Sequence, residues 1–244
     1  MQSVCGALRH FTLCKTRAEQ LRRRALLYAF TNNAGYCSQF GQDQFVDQCI
    51  FRGRRAGTFV DIGAHDGVSG SNSYYFETER GWTGLCVEPN PETYQALASK
   101  RSCTCVQGCA AVSDGAARFL AVYGAADKLS GRLDTFPSGH VDRIRQAVCA
   151  DGGRESVITV PCYEINALLR EHRIGSVDFL SLDTEGGEYD LLRAIDLQGF
   201  NVQAVSVENN YSDRRIEDFM TQSGYHLRAC MGCDEIYARQ EVGK

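Results

Sequence analysis

Four short apolar runs in this chain each end in an acidic residue that precedes a turn. The runs end at Asp61, Glu88, Asp183 and Glu208, and helical segments follow most of them. Short, nearly continuous apolar strands that alternate with helices are typical of a mostly parallel sheet covered on both faces. In such open α/β sheets, ligands bind at the carboxyl ends of the strands. The pattern therefore predicts an α/β fold whose strand-end acids converge on one cleft.

The other elements follow from the same alternation of patterns. A turn that leads into a helix is expected over 37–50, and further helices over 92–100, 165–172, 188–195 and 213–223. A third strand is expected over 103–112, an extension of the sheet or a hairpin over 117–122, and another strand over 157–161. A polar insertion over 127–150 with a short helix near 141–148 and a closing hairpin over 225–229 and 235–239 complete the prediction.

Length and charge limit the function classes. A chain of 244 residues fits one α/β domain, and its net charge of -4 argues against a general nucleic-acid binder. No apolar run approaches the roughly 18–20 residues that a membrane span needs. We therefore expect neither a nucleic-acid partner nor a membrane span.

The N-terminal segment differs from the rest of the chain. We divide the chain into a basic, helical extension over 1–36 and a catalytic domain over 37–244. Met1–Phe30 carries many arginines and a single acid, Glu19. Two interpretations stay open, a basic solvated helix face and an organelle-targeting peptide. Twelve cysteines are too few at this length for a disulfide scaffold, so reduced thiols in the cytoplasm are the default.

The first candidate site is the loop Val60–Gly67. Glycines after a strand let the backbone approach a ligand closely, and Asp61 is a candidate to hold the turn and an ammonium group. The spacing of Gly63, Gly67 and Gly70 differs from the dinucleotide pattern G-x-G-x-x-G. A cofactor loop and a structural turn both remain open for this segment.

Two further sites lie at later strand ends. Glu88 follows about twenty residues on, where an acid can accept both ribose hydroxyls of a nucleoside; a helix-capping carboxylate is its alternative. Asp183 and Glu185 precede a glycine pair and place acid chemistry beside the same cleft. Capping of the next helix is the alternative there, and we expect Glu188 to serve the helix start.

Together, in this order and spacing, these sites resemble the FkbM family of methyltransferases over about residues 38–239. The resemblance is carried by Ser38–Asp43, Val60–Gly67, Ser71–Glu77, Gly81–Pro91, Ala111–Asp114 and Asp178–Gly186. It implies a Rossmann-like class I methyltransferase fold, S-adenosylmethionine as cofactor, and transfer of a methyl group to a hydroxyl of a small molecule, commonly a sugar or a natural product.

The resemblance also assigns cofactor-binding residues. Asp61, Gly63, Ala64 and Gly67 would line the methionine and ribose side, and Glu88 would bind the ribose. Ser113 or Asp114 would lie near the adenine, and Asn72 and Gln39 are candidates for the methionine carboxylate and the pocket lid.

The mechanism follows from the cofactor. A sulfonium is an activated donor, so the enzyme needs mainly to place an oxygen nucleophile in line with the methyl group. Asp183 is our first choice for the base, and Glu185 or His65 is the second. His65 could equally be a loop residue that bonds to the backbone. A magnesium ion on Asp183, Glu208 and Asn209 is a further hypothesis, because a hard cation prefers oxygen ligands.

Three alternatives are weighed against this prediction. An NAD-dependent oxidoreductase shares the use of Glu88, but the glycine spacing disfavours it. A catalytically inactive binding or trafficking protein with this fold is the second alternative. Zinc binding by Cys103, Cys105, Cys109, Cys230 and Cys233 is the third, and the fold implied by the resemblance argues against it because it places these two groups at opposite sheet edges.

Overall fold

The computed structural model describes residues 35–136, 139–240 and 242. The predictions for Met1–Phe30 and for most of the 1–36 extension therefore lie outside the described residues. Among the described residues, no helix is both long and apolar enough to cross a membrane.

A seven-stranded sheet organises the fold. In chain order its strands are β1 (Thr58–Ile62), β2 (Thr83–Glu88), β3 (Thr104–Gln107), β8 (Phe179–Leu182), β9 (Ala204–Glu208), β10 (Tyr225–Met231) and β11 (Asp234–Arg239). The spatial order is β10-β11-β9-β8-β1-β2-β3. β11 is antiparallel to both of its neighbours, β9 and β10, and all other neighbouring strands of this sheet pair in parallel. The predicted mostly parallel sheet with a closing hairpin is confirmed.

Helices cover both faces of this sheet. They are α1 (Gln42–Phe45), which continues as a π-helical turn over Val46–Ile50, α2 (Tyr74–Arg80), α3 (Pro91–Lys100), α5 (Ile165–Glu171), α6 (Glu188–Ala194) and α7 (Arg214–Gln222). A further helix, α4 (His140–Asp151), packs elsewhere. Successive strand residues point to opposite faces. Thus Val60 and Ile62 pack in the core that includes residues of α5, α6 and α7, and Phe59 packs in the core that includes residues of α1, α2 and α3.

A smaller second sheet was not predicted. It consists of β4 (Cys109–Ala111), β5 (Gly115–Tyr123), β6 (Gly131–Arg132) and β7 (Arg154–Glu164), in the order β4-β7-β5-β6. The buried face of α4 packs against it, through Ile144 and Val148 beside Leu120 and Val122. The polar insertion thus contributes one strand and one helix to a unit that stands beside the main sheet.

The single strand predicted over 103–112 is wrong, because Gly108 divides it. Gly108 has φ 148, and a Cβ there would lie 2.6 Å from the ring of Tyr163 and 2.9 Å from the carbonyl oxygen of Pro161. The strand before it pairs with β2, whereas the strand after it pairs with β7. This bend takes the chain from the main sheet to the second sheet and so forms one wall of the cleft.

Candidate active site

A cavity of about 500 Å³ lies at the carboxyl ends of β1, β2, β8 and β9. Its wall includes Asp61, Glu88, Asp183 and Glu208, the four acids that end the apolar runs. The second sheet and the segment after β5 close the opposite side. Since the carboxyl ends of parallel strands meet at one edge of a sheet, the expected convergence of these acids is observed.

The loop after β1 approaches the neighbouring strands closely. Gly63 and Ala64 donate their backbone N–H groups to the carbonyl oxygen of Val87, at 2.9 and 3.1 Å. Gly63 has φ 84, and a Cβ there would lie 1.6 Å from the carbonyl oxygen of Asp183. His65 follows with φ 50. Glycine is therefore required at position 63 by the fold, and Gly63, Ala64 and His65 all line the cavity.

Asp61 lies at the floor of this loop with a side chain that is almost entirely buried. Its Oδ2 accepts a hydrogen bond of 2.5 Å from the hydroxyl of Ser73. Burial raises the pKa of Asp61, and the hydrogen bond from Ser73 together with the charge of Arg101 counteracts that rise. These two neighbours therefore favour the carboxylate form.

Glu88 combines a cavity position with a local structural role. Its Oε2 accepts the backbone N–H of His65 at 2.9 Å, which ties it to the glycine loop. Its Oε1 accepts from the backbone N–H of Asn90 and the hydroxyl of Thr93, at 2.8 and 3.0 Å. A carboxylate offers about four lone-pair sites. Glu88 therefore supports the start of α3, as its alternative proposed, and keeps acceptor capacity toward the cavity.

Two further predicted residues also line the cavity. Asn72 donates from Nδ2 to the hydroxyl of Ser181 at 3.0 Å. Its Oδ1 is buried and has no hydrogen-bond partner among the described residues. Gln39 stands exposed at the cavity edge. Since buried polar atoms are normally paired, the orphaned oxygen of Asn72 marks a place where a ligand donor fits.

Three carboxyl groups form a cluster at the other end of the cavity. Oxygen atoms of Asp183, Glu185 and Glu208 all lie within 4.8 Å of one another. Among the described residues, none of the three makes an ion pair within 4.0 Å. Like charges brought together in a low-dielectric site favour protonation.

The pKa values of this cluster follow from that arrangement. Burial raises the pKa of Asp183 well above its usual value, and the carboxyl groups of Glu208 and Asp234 raise it further. Burial and the charge of Asp183 raise the pKa of Glu185 to about 8. Burial and the charge of Glu185 raise the pKa of Glu208 to about 9. The cluster thus holds protons near neutral pH and can exchange them with a bound hydroxyl.

The residues that could bind a metal ion differ from the predicted set. Asn209 does not line the cavity with the acids. Its side chain accepts from the backbone N–H of Asp213 at 2.6 Å and donates to the carbonyl oxygen of the same residue at 3.2 Å. Glu185 takes the third position in the cluster instead. A magnesium ion at this site stays a prediction.

Other predicted residues also lie away from the cavity. Ser113 and Asp114 are exposed in the turn before β5, where Asp114 accepts the backbone N–H of Glu164 at 2.8 Å. The side facing the cleft is formed instead by residues 108–112, just before this turn. Gly67 packs on the far side of its loop, against the side chains of Leu97 and Arg101. Glu188 accepts three donors from the loop before α6, as its helix-start role predicted.

Several cavity residues were missed by the sequence prediction. A 3₁₀ turn over Asp127–Leu129 covers the glycine loop, where Lys128 donates to the carbonyl oxygen of Ser69 at 3.2 Å. His65 Nε2 lies 3.1 Å from Asp127 Oδ1, yet without the alignment of a hydrogen bond. Arg143 in α4 lines the same cavity, and its charge opposes protonation of Glu185. Only the long-range fold brings these charges to the site.

The cysteine groups are separated as expected. Cys103, Cys105 and Cys109 belong to the side of β3 and β4, whereas Cys230 and Cys233 belong to the hairpin at the opposite sheet edge. None of the cysteines in the described part of the chain forms a disulfide. A joint zinc site is excluded by this topology.

Comparison with known families distinguishes the methyltransferase from the oxidoreductase alternative. The sequence signature of the Methyltransferase FkbM domain matches residues 61–227. The chain belongs to the FkbM methyltransferase family. The family therefore supports a methyltransferase and not the NAD-dependent oxidoreductase alternative. Within this FkbM domain, the sheet order and closing hairpin are those of a class I methyltransferase.

Solved structures similar to this FkbM domain are also methyltransferases. FkbM from Methylobacillus flagellatus KT is 14% identical over 83% of this chain, with a TM-score of 0.47. TrmK of M. capricolum, solved with S-adenosyl-homocysteine, is 8% identical over 86% of this chain and 72% of its own, with a TM-score of 0.42. A human methyltransferase 10 domain containing protein is 12% identical over 91% of this chain and 94% of its own, with a TM-score of 0.39.

The chain spans 48% of the length of the Methylobacillus FkbM structure. The search of curated proteins finds no match.

Proposed function

We propose that this chain is an S-adenosylmethionine-dependent O-methyltransferase that acts on a hydroxyl group of a small molecule, such as a sugar or a natural product. One observation carries the proposal. A single cavity joins the glycine loop and Glu88, which suit a nucleoside, to the carboxyl cluster of Asp183, Glu185 and Glu208, which suits proton transfer.

The residues present fit this cofactor. The cavity volume lies within the roughly 300–1,000 Å³ usual for small-molecule sites. Glu88 keeps acceptor capacity for ribose hydroxyls, and the unpartnered oxygen of Asn72 can accept from the ammonium group of the methionine part. Asp61 supplies a negative charge nearby. When bound, the sulfonium of this cofactor supplies an electrophilic methyl group.

The carboxyl cluster suits the acceptor side of the reaction. An oxygen nucleophile must lie in line with the methyl group and lose its proton as the bond forms. Asp183 is the proposed base in its ionised form, because burial and its acidic neighbours raise its pKa and so make the carboxylate a stronger proton acceptor. Glu185 and Glu208 can pass the proton on, because their oxygens lie within 4.8 Å of Asp183.

Calorimetric titration tests the cofactor. Wild type is expected to bind S-adenosylmethionine and S-adenosyl-homocysteine but not NAD. Glu88→Gln should weaken that binding about tenfold, because it removes charge-assisted hydrogen bonds. Glu79→Gln, an exposed acid of α2 outside the cavity, is the matched control and should bind as wild type. Tight binding of NAD, or of neither ligand, would refute the assignment.

Methyl transfer tests the reaction type. Wild type is given S-adenosylmethionine with a labelled methyl group and a panel of monosaccharides and hydroxylated macrolides. The expected product carries the label as an ether that survives alkaline treatment. Transfer to amines alone, or binding without transfer to any hydroxyl of a broad panel, would favour the alternatives of N-methylation or an inactive binding protein.

The compartment is part of the same proposal. We propose that residues 37–244 form the catalytic domain and residues 1–36 an extension, and that the protein acts in the cytoplasm. Fluorescent fusions with and without residues 1–36 test this placement. Organelle accumulation that depends on those residues would support the targeting interpretation instead.

A further inference from the structure

Arg101 is a buried cation directly behind the proposed cofactor loop. It follows the last residue of α3, and its side chain is fully buried. It does not line the cavity. A buried arginine persists only when its charge and its N–H groups are satisfied, so its partners show what it holds in place.

The guanidinium group of Arg101 contacts the cofactor loop and the segment that follows it. Nη1 donates to the carbonyl oxygen of Gly67, and Nη2 donates to the hydroxyl of Ser73, both at 3.0 Å. Nε pairs with the carboxylate of Glu77 in α2. The group also lies over the ring of Phe59, at 5.2 Å from its centroid. Its fixed fork of donors therefore joins three segments of the chain.

Ser73 connects this fork to the cavity. Its hydroxyl accepts from Arg101 and donates to Oδ2 of Asp61. Asp61 is one of the acids on the cavity wall. The positive charge of Arg101 favours its ionised form through this one intervening hydroxyl. On the adjoining strands, the register partners of Asp61 are Cys86 in β2 and Ser181 in β8.

Gly67 shows that the loop is fitted to Arg101. A Cβ at Gly67 would lie 2.8 Å from Cγ of Arg101 and 2.7 Å from Cδ1 of Leu97. The glycine that the family resemblance assigns to the cofactor thus makes room for the arginine behind the loop. Gly67 therefore contacts Arg101 in two ways, through its closely packed α-carbon and through its hydrogen-bonded carbonyl oxygen.

We propose that Arg101 is a positioning residue for the cofactor, which acts through Ser73 on the orientation and charge of Asp61 and through Gly67 on the course of the glycine loop. The inference rests on the proposed function, because it assumes that S-adenosylmethionine binds in this cavity. It adds a residue outside the cavity to the determinants of that binding.

The test compares Arg101→Gln with Arg80→Gln. Arg80 is also an arginine in an internal ion pair, bonded through Nε and Nη2 to the buried carboxylate of Asp47 at 2.7 and 2.8 Å, but outside the cavity. Both changes should lower the melting temperature. Only Arg101→Gln should weaken calorimetric binding of S-adenosylmethionine, by about tenfold, because charge-assisted hydrogen bonds are lost at the loop.

Three more variants separate positioning from general stability. Arg101→Lys keeps the charge and should recover part of the affinity, about threefold over Arg101→Gln, although lysine lacks the planar fork. Ser73→Ala removes only the connecting hydroxyl and should by itself weaken binding of S-adenosylmethionine. In the double variant Arg101→Gln with Ser73→Ala, the losses should fall short of the product of the two single effects, since residues in one network are not additive.

The outcomes are distinct. If wild type binds S-adenosylmethionine and Arg101→Gln binds it equally well, the inference about Arg101 fails while the proposed function stands. If Arg80→Gln weakens binding as much as Arg101→Gln, the effect is general destabilisation and the inference fails. If Arg101→Gln does not fold, the inference is overturned when Ser73→Ala binds S-adenosylmethionine with wild-type affinity. If wild type does not bind the cofactor, the proposed function fails and this inference with it.

Discussion

The carbonyl oxygen of Asp183 packs directly against the α-carbon of Gly63. A side-chain carbon at position 63 would lie 1.6 Å from that oxygen. The backbone N–H of Asp183 in turn donates to the carbonyl oxygen of Ile62 at 3.0 Å. The loop proposed for the cofactor and the loop that carries the proposed base are thus held together at a fixed distance.

We expect Gly63→Ala to be severely destabilising. The methyl group would overlap a backbone atom and would also require φ 84 of a residue with a side chain, so the loss should exceed about 3 kcal/mol. Chemical denaturation measures it. The matched control is Gly81→Ala, at φ 65 with no atom within 4 Å of the added Cβ, where a loss of about 1 kcal/mol is expected. Similar losses at both positions would contradict the proposed overlap.

Replacement of the proposed base should separate chemistry from binding. Asp183→Asn is expected to lower the rate of methyl transfer by about 10²–10⁴, the usual contribution of a general base, while affinity for S-adenosylmethionine changes less than about twofold. Single-turnover transfer of a labelled methyl group, on an acceptor from the hydroxyl panel, measures the rate. Asp151→Asn, exposed at the end of α4, is the control. An unchanged rate would show that Asp183 is not the base.

The acid cluster should make stability fall as the pH rises. Glu208 has a pKa of about 9 in the folded protein against a usual value of 4.5, so the folded state binds more protons than the unfolded state between these values. This contribution is fully present below about pH 4.5 and is lost as the pH rises toward 9. Thermal melts from pH 5 to 9 should show a smaller decline for Glu208→Gln than for wild type. Identical slopes would contradict the raised pKa.

The contact between Lys128 and the glycine loop should slow release of the cofactor. Lys128→Met removes the hydrogen bond from Nζ to the carbonyl oxygen of Ser69, and the dissociation rate of S-adenosyl-homocysteine should rise about threefold to tenfold. Stopped-flow displacement measures that rate, and Lys128→Arg, which keeps a donor, is the control. Unchanged rates in Lys128→Met would show that this turn does not retain the ligand.

Local patterns were enough to predict four strands of the main sheet and the acids at their ends. The runs before Asp61, Glu88, Asp183 and Glu208 form β1, β2, β8 and β9 within one or two residues. The helices after three of these strands are also found. Such features are carried by short stretches of apolar residues, because burial of a strand on both faces requires them.

Helix α2 was missed, although the glycine at its end is a local signal. Gly81 ends it in the left-handed conformation, with its N–H bonded to the carbonyl oxygen of Phe76. A glycine at this position is a common end signal for a helix. The preceding residues, Ser71–Glu77, carry part of the family resemblance, and that resemblance alone does not predict a helix there.

The fold class, the order of the main elements and the acids at the strand ends can be predicted from the amino-acid sequence, since each depends on residues close together along the chain. Three features were found only in the folded chain. Gly108 turns the chain into a second sheet, Glu185 and not Asn209 joins the acid cluster, and Arg101 lies behind the glycine loop. These features depend on contacts between segments that are far apart in sequence. Packing decides which group lies against a charge or a glycine, and such contacts produce no periodic pattern in the sequence.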